Sequence, residues 1–231
     1  KRTILIFVLN ILFEDNHLIV INKKPGELSQ GDKTNDITLS DKVKTFLKKR
    51  DQKKGNVFLG IIHRLDRPTS GIIIYSKTSK ALSRMNEKFK QNAISKTYWA
   101  ITKKINKSSG RLENFLIKNQ SQNKSYVCDR KTVNAKKAIL RFRKILDLKN
   151  FSLISVNLET GRHHQIRSQF CHLGYPIKGD LKYGYKRPNK DKSIHLHSRK
   201  VIFTHPVSKQ KIEIIANPPN EDIWNLCIRS L

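Results

Sequence analysis

The stretch Ile61-Ile62-His63-Arg64-Leu65-Asp66-Arg67-Pro68-Thr69-Ser70-Gly71-Ile72-Ile73-Ile74 decides how this chain is read. Its two ends are apolar and β-branched, the composition of buried strands. Its middle places one carboxylate, Asp66, between Arg64 and Arg67. Burying an unpaired charge is costly, so a strand that breaks to present Arg-Leu-Asp-Arg has either a task or a tight set of partners. Pro68 and Gly71 equally suit a plain polar turn between two strands. Local physics leaves both readings open.

The pattern around this loop gives the fold class. Val57–Ile62 and Gly71–Ser76 are predicted strands flanking it, and Ile4–Phe13 and His17–Asn22 two more, joined by a turn at Glu14-Asp15-Asn16. Ser40–Lys49 fits a helix capped by Ser40, and Thr78–Asn92 a helix with Leu82, Met85 and Phe89 on one face. Lys96–Thr102 is a strand carrying Tyr98 and Trp99 on opposite faces. Residues 103–135 are rich in Lys, Asn and Ser and are expected to be loops with short strands around Leu112–Ile117. Ala138–Ile145 and Phe151–Leu158 read as paired strands, and Arg162–Leu173 as a helix with Gly174 just past its end. A Gly- and Pro-punctuated loop follows over Lys178–Lys190. Two closing strands, His195–Phe203 and Lys211–Ala216, and a terminal helix, Glu221–Arg229, complete the chain. Strands outnumber helices and do not alternate with them, which predicts an α+β domain with a mixed, largely antiparallel central sheet.

Charge says what such a domain meets. The 231 residues hold 47 Lys+Arg against 18 Asp+Glu, a formal net charge of +29. The lysines are spread along the chain, so a folded basic surface is expected rather than a basic tail. A polyanion is the natural partner, because each neutralised phosphate releases a counterion. Nucleic acid is favoured over a lysine-rich genome bias or an anionic membrane surface. No run approaches the ~18 apolar residues of a membrane span. Cys128, Cys171 and Cys227 are far apart and odd in number, so a reducing compartment, the cytoplasm, is expected. The chain opens on Lys1 rather than Met, so residues may precede it.

A second dense polar cluster is Thr160-Gly161-Arg162-His163-His164-Gln165-Ile166-Arg167. With Thr160 as cap, Arg162, His163 and Arg167 lie near a helix N-terminus, where backbone N–H groups favour anions. The alternative is a basic, solvated helix face. If this helix end meets the Asp66 loop, an arginine can pair with that carboxylate. His163, His164, Cys171 and His172, with His195 and His197, invite a zinc reading, but the spacing matches no standard site and no Cys-x-x-Cys exists. Gly31-Asp32-Lys33-Thr34 lacks the spacing of a P-loop. Paired histidines can cleave RNA in principle, though nothing in the sequence fixes two of them around one phosphate.

These clusters together resemble the RluA-type pseudouridine synthases. The resemblance rests on His63–Gly71, on Lys-Thr-Tyr-Trp-Ala at 96–100, and on Glu-Thr-Gly-Arg-His-His-Gln-Ile-Arg at 159–167. Gly-Tyr-Pro-Ile-Lys-Gly-Asp at 174–180 and Tyr183-Gly184 add to it, as do Ile19–Gly26, Ile194–His197 and Phe203–Pro206, all in the right order. One departure is Ser168-Gln169, where the family tends to have an apolar residue and then His. The resemblance implies isomerisation of uridine in rRNA or tRNA to pseudouridine after base flipping, without cofactor or metal. It implies Asp66 as the catalytic carboxylate, Arg167 as its partner, and Tyr98 as the aromatic against the target base. Arg64 fills the gap in the RNA stack, and His63, Arg67, Thr69, Lys96, Arg162, His163 and Gln165 are expected to contact RNA. The covered residues are read as one catalytic domain without a separate N-terminal RNA-binding domain. The expected protein is a monomer with RNA as partner, no nucleotide cofactor and no membrane. Its rivals are a catalytically dead RNA-binding or ribosome-associated factor on the same fold, and a histidine-dependent nuclease.

Overall fold

The computed structural model describes residues 8–31 and 35–231. The predicted start of the first strand, Ile4–Phe7, and Asp32-Lys33-Thr34 lie outside them. The chain runs β1 (Ile11–Glu14), β2 (Leu18–Lys23), α1 (Leu39–Arg50), β3 (Gly60–Ile61), β4 (Ser70–Ser76), α2 (Ser79–Lys90), β5 (Ser95–Lys103) and β6 (Ser109–Asn119). It continues with β7 (Lys124–Cys128), β8 (Lys136–Asp147), β9 (Phe151–Leu158), α3 (Gln165–His172), β10 (Leu196–Thr204), β11 (Lys211–Ile215) and α4 (Asp222–Arg229).

All these strands form one sheet in the order β1-β2-β4-β10-β5-β9-β8-β6-β7, with β11 on β10 and β3 on β4. Every pairing is antiparallel except β4 with β10. The expected mixed, largely antiparallel α+β sheet is therefore what the chain forms. The parallel seam lies at its centre, where His197 faces Ser70 and Ser198 faces Gly71. Gly71 is needed there. Its φ is +110°, and a Cβ would come within 2.4 Å of the Ser198 carbonyl oxygen.

β4 is buried along its whole length, as its unbroken Ile72-Ile73-Ile74 run requires. Ile73 and Tyr75 enter the main core with Val43, Leu47, Ile154, Val156 and Phe170, while Ile72 and Ile74 pack on the other face with Met85 and Val201. Met85 is thus a core residue.

Three boundaries differ from expectation. α1 is capped by Thr38, two residues before the expected Ser40, because Thr38 and Asp41 form a reciprocal capping box. β3 shortens to two residues because only Gly60 and Ile61 find partners on β4. The 103–135 stretch holds the eleven-residue β6, which extends the strand expected around Leu112–Ile117, and the five-residue β7, paired in a hairpin. Lys118 and Asn119 at the end of β6 are exposed strand residues.

Candidate active site

The Asp66 loop leaves β3, turns through Thr69 N–H to the Asp66 carbonyl (3.0 Å), and enters β4. The loop is fixed from the N-terminal side. Ser29 Oγ bonds both the Leu65 carbonyl and its N–H, at 2.8 and 3.1 Å. The Lys23 ammonium, nearly fully buried, donates to the carbonyls of Lys24 and Arg67. Burial pulls its pKa down to about 7 against the raising effect of Glu27 and Asp66.

Across the cleft, the turn into α3 supplies the partner. Arg167 Nη1 donates to Asp66 Oδ2 at 2.9 Å. The same guanidinium forks onto a second carboxylate: Nε donates to Asp180 Oδ2 at 2.7 Å and Nη2 to Asp180 Oδ1 at 2.8 Å. Nη1 also lies 3.1 Å from His164 Nε2. A guanidinium only donates, so this ring nitrogen accepts and the imidazole proton sits on Nδ1. Nδ1 then donates to the Tyr183 hydroxyl at 2.9 Å, which also accepts from the Ser125 N–H on β7 at 2.8 Å. The Arg167 guanidinium lies 5.0 Å from the centre of the Tyr183 ring.

Burial works to raise the Asp66 carboxyl; the positive charge facing it, which at neutral pH is that of Arg167, outweighs burial and holds it below the usual carboxylate range. Arg167 carries the charge at neutral pH, because burial depresses the His164 imidazole to about 3. Arg167 is itself buried, yet its hydrogen bonds to Asp180 and its neighbouring carboxylates keep it firmly protonated. His164 stands in the left-handed region at φ +51°, rare for a residue with a side chain, and makes no side-chain cap of α3.

Asp66, Arg167 and Tyr98 open onto one cleft. Arg64, Thr69, Arg162, His164 and Gln165 also line it, with Leu65, Leu158, Ile166 and Leu196 as its apolar walls. Tyr98 and Trp99 do point to opposite faces: Tyr98 joins the core beneath the cleft, while Trp99 packs with Trp224. Burial pushes the Tyr98 phenol up to about 12, so it stays protonated.

The structure brings together some of the expected RNA contacts and not others. Arg64 and Arg162 are exposed at the cleft. Thr69 is buried against it, with no hydrogen-bond partner for its hydroxyl among the described residues. Gln165 lines the cleft but is already occupied, bonding the Ile139 carbonyl, Thr160 Oγ1 and the Arg162 N–H. Thr160 therefore braces this turn against β8 and does not cap α3, which begins three residues later than expected. His163 stacks on His164 at 3.8 Å and bonds Ser125 Oγ. His63, Lys96 and Arg67 do not line the cleft. His63 accepts from the Ile74 N–H and stacks on Phe89, and burial depresses it to about 3. Lys96 lies over the same Phe89 ring. Arg67 pairs with exposed Asp36 and with the Gly26 carbonyl. Gln169, at the departure from the family pattern, bonds Asn114 and the Ala138 carbonyl and so ties α3 to β6 and β8. Among the described residues no three His, Cys, Asp or Glu side chains form a group that could hold a metal ion.

Asp180, His164 and Tyr183 are site residues that sequence reasoning did not assign roles. Their only signal was membership of dense motifs, Gly-Asp at 179–180 and Tyr-Gly at 183–184.

Comparison with known proteins fits this geometry. Residues 17–172 match the family described as RNA pseudouridylate synthase. The chain is 32% identical to tRNA pseudouridine synthase C of Haemophilus ducreyi, over 90% of either protein. It is 33% identical to ribosomal large subunit pseudouridine synthase D of Borreliella burgdorferi, over 96% of this chain and 72% of that one. Among solved structures, human RNA pseudouridylate synthase domain containing 4 has the same fold, with a TM-score of 0.78 at 23% identity, over 94% of this chain and 92% of that one. The chain belongs to the RNA pseudouridylate synthase family, in its RluA-type branch, and is an RNA-modifying isomerase.

Proposed function

We propose that this isomerase converts uridines of ribosomal or transfer RNA to pseudouridine with Asp66 as its reacting carboxylate and Arg167 as the partner that keeps it ionised. The reaction detaches uracil at N1 and rejoins it to the same sugar carbon through C5, and the C5 proton is lost as N1 gains one. No atom is added or removed overall, so the site has to hold a free base, turn it and move one proton.

The observation that carries the reading is the placement of one half-open carboxylate on a buried arginine in the cleft that Tyr98 lines. A paired Asp stays ionised and can act as nucleophile or base. The base has to leave the RNA stack to reach it, which costs a few kcal/mol. The Tyr98 ring offers a stacking face that offsets this, and Arg64, exposed at the cleft, is the side chain that fills the vacated position. Thr69, Arg162, Gln165 and His163 surround the base and its flanking phosphates; His63, Arg67 and Lys96 support the loop and sheet instead. We read the covered residues as one catalytic domain, since a single sheet runs through them, and the protein as a cytoplasmic monomer.

Two measurements test this. Asp66→Asn keeps the shape and loses the charge, so pseudouridine formation is expected to vanish while RNA affinity stays within a few-fold. Product at near wild-type rate would remove Asp66 from the reaction. Pseudouridine mapping of ribosomal and transfer RNA from cells lacking the protein is expected to show the loss of discrete sites; an unchanged map would refute both RNA classes.

A further inference from the structure

Among the described residues Arg167 is the cation that hydrogen-bonds Asp66, yet most of its hydrogen-bonding capacity goes elsewhere. Two of its three nitrogens serve Asp180, and the third divides between Asp66 and His164. Asp180 is 1% exposed in its side chain and sits in a turn that leaves it no freedom. Gly179 before it has φ +86°, and a Cβ there would meet Asn189 at 2.6 Å. The Asp180 N–H bonds the Ile177 carbonyl, and its own carbonyl accepts from Tyr183 N–H. The loop is also stitched to β5, the strand that carries Tyr98, through Lys178 N–H to the Ile101 carbonyl at 2.8 Å.

We propose that Asp180 is a positioning residue of the reaction: its fork fixes Arg167 so that a single N–H reaches Asp66, and its charge divides the arginine's positive charge between two carboxylates. The inference rests on Asp66 being the reacting group. Two carboxylates and one guanidinium sum to −1. Asp66 therefore stays ionised without the full neutralisation of an exclusive pair, and keeps more basicity than such a pair would leave it. The other groups facing Asp66 do not supply this balance. His164 is neutral, Tyr98 and Tyr183 are protonated phenols, and His163 and Lys23 make no hydrogen bond to it. A planar fork also fixes orientation, which an unpaired arginine side chain would lose.

The test is steady-state kinetics on an RNA substrate with three variants. Asp180→Asn is expected to lower kcat at least 30-fold with KM within threefold of wild type, because RNA binding does not use Asp180. Asp180→Glu keeps the charge and shifts it by one methylene; it is expected to recover at least fivefold of that loss while staying about threefold or more below wild type. Wild-type kcat in either variant, or a kcat loss in Asp180→Asn matched by an equal rise in KM, would overturn the proposal. So would an Asp180→Glu protein no better than Asp180→Asn. Should Asp180→Asn fail to fold, the Glu variant decides alone: reduced kcat at unchanged KM supports the positioning role, and wild-type kcat overturns it. Asp66→Asn, run alongside, separates the layers. Activity in that variant sinks the Asp66 reading itself, whereas an inactive Asp66→Asn beside an unaffected Asp180→Asn sinks only the role of Asp180.

Discussion

Asp66 and Asp180 flank the same guanidinium and live in different surroundings. Asp180 is closed off from water and takes two parallel hydrogen bonds. The Asp66 side chain is 28% exposed, takes one hydrogen bond from Arg167 on Oδ2, and has no hydrogen bond to Oδ1 among the described residues. A buried, doubly bonded carboxylate is part of the scaffold. A half-open one with an unoccupied oxygen is free to meet a substrate. The difference teaches how one arginine can be both fixed and available: one side anchors it and the other side uses it.

The harshest way to break this asymmetry is to remove its centre. Arg167→Ala leaves Asp180 buried without a partner and Asp66 without its cation. Loss of one member of a buried pair commonly costs ~3–5 kcal/mol. A large drop in melting temperature is expected together with loss of turnover. Arg167→Lys should recover part of the stability and little of the activity, since an ammonium cannot fork onto Asp180 while reaching Asp66. A lysine variant with wild-type kcat would mean that the fork is irrelevant.

The two carboxylates also mark what a sequence can and cannot reveal. Asp66 was legible because an apolar run breaks around it: Ile61-Ile62 and Ile72-Ile73-Ile74 have no local reason to admit Arg-Leu-Asp-Arg. A dense polar cluster beside a helix offers an arginine for it, and the family resemblance singles out Arg167. Asp180 sits in a loop among Gly, Lys and Pro, where an aspartate is unremarkable, and its value arises only when the chain returns beneath α3. His63 presents the opposite case. It is part of the conspicuous motif, but its ring turns toward Phe89 and the Ile74 N–H. Of the β6–β7 hairpin, polar composition lets the sequence show only a short strand around Leu112–Ile117, which lies within β6; in an edge pair, pairing overrides propensity for the rest. The sheet class was legible from strand count, whereas the parallel β4–β10 seam depends on Gly71 lying against Ser198, a contact between residues far apart in sequence.

The next comparison sets the cleft against the outer surface. If the +29 charge serves phosphates, RNA affinity should fall steeply with salt, with a log–log slope of several units. Asp66→Asn should show the same slope, because it changes the chemistry and not the phosphate contacts. A flat dependence between low and physiological salt would mean that binding is carried by the cleft alone.

Within the cleft, Tyr98 tests whether a residue can be core and platform at once. Tyr98→Ala should weaken RNA binding by ~1–3 kcal/mol, the value of one stacked base. Tyr98→Phe keeps the ring and should bind normally, with slower turnover if the hydroxyl, held protonated by burial, passes on a proton. A Tyr98→Phe protein that melts well below wild type and regains full activity on cooling would reduce the residue to a packing role.

The mildest test concerns the histidines beside these groups. Burial depresses His164 to about 3 and His197 to about 4. Unfolded, each titrates near ~6.5. Between those values the unfolded chain binds protons that the folded chain refuses, so stability is complete above pH ~6.5 and declines as pH falls. Each histidine contributes up to ~1.4 kcal/mol per pH unit in that window. Melting temperature should therefore drop between pH 6.5 and 4.5. A His197→Asn variant should melt lower at pH 7 but with a shallower pH slope, because the refused proton is gone. Turnover should show no histidine limb near pH 6.5, since His164 accepts from Arg167 only while neutral. An acid limb at that pH that disappears in His164→Asn would place a proton on Nε2, break the hydrogen bond from Arg167, and dismantle the polarity on which the contrast between Asp66 and Asp180 depends.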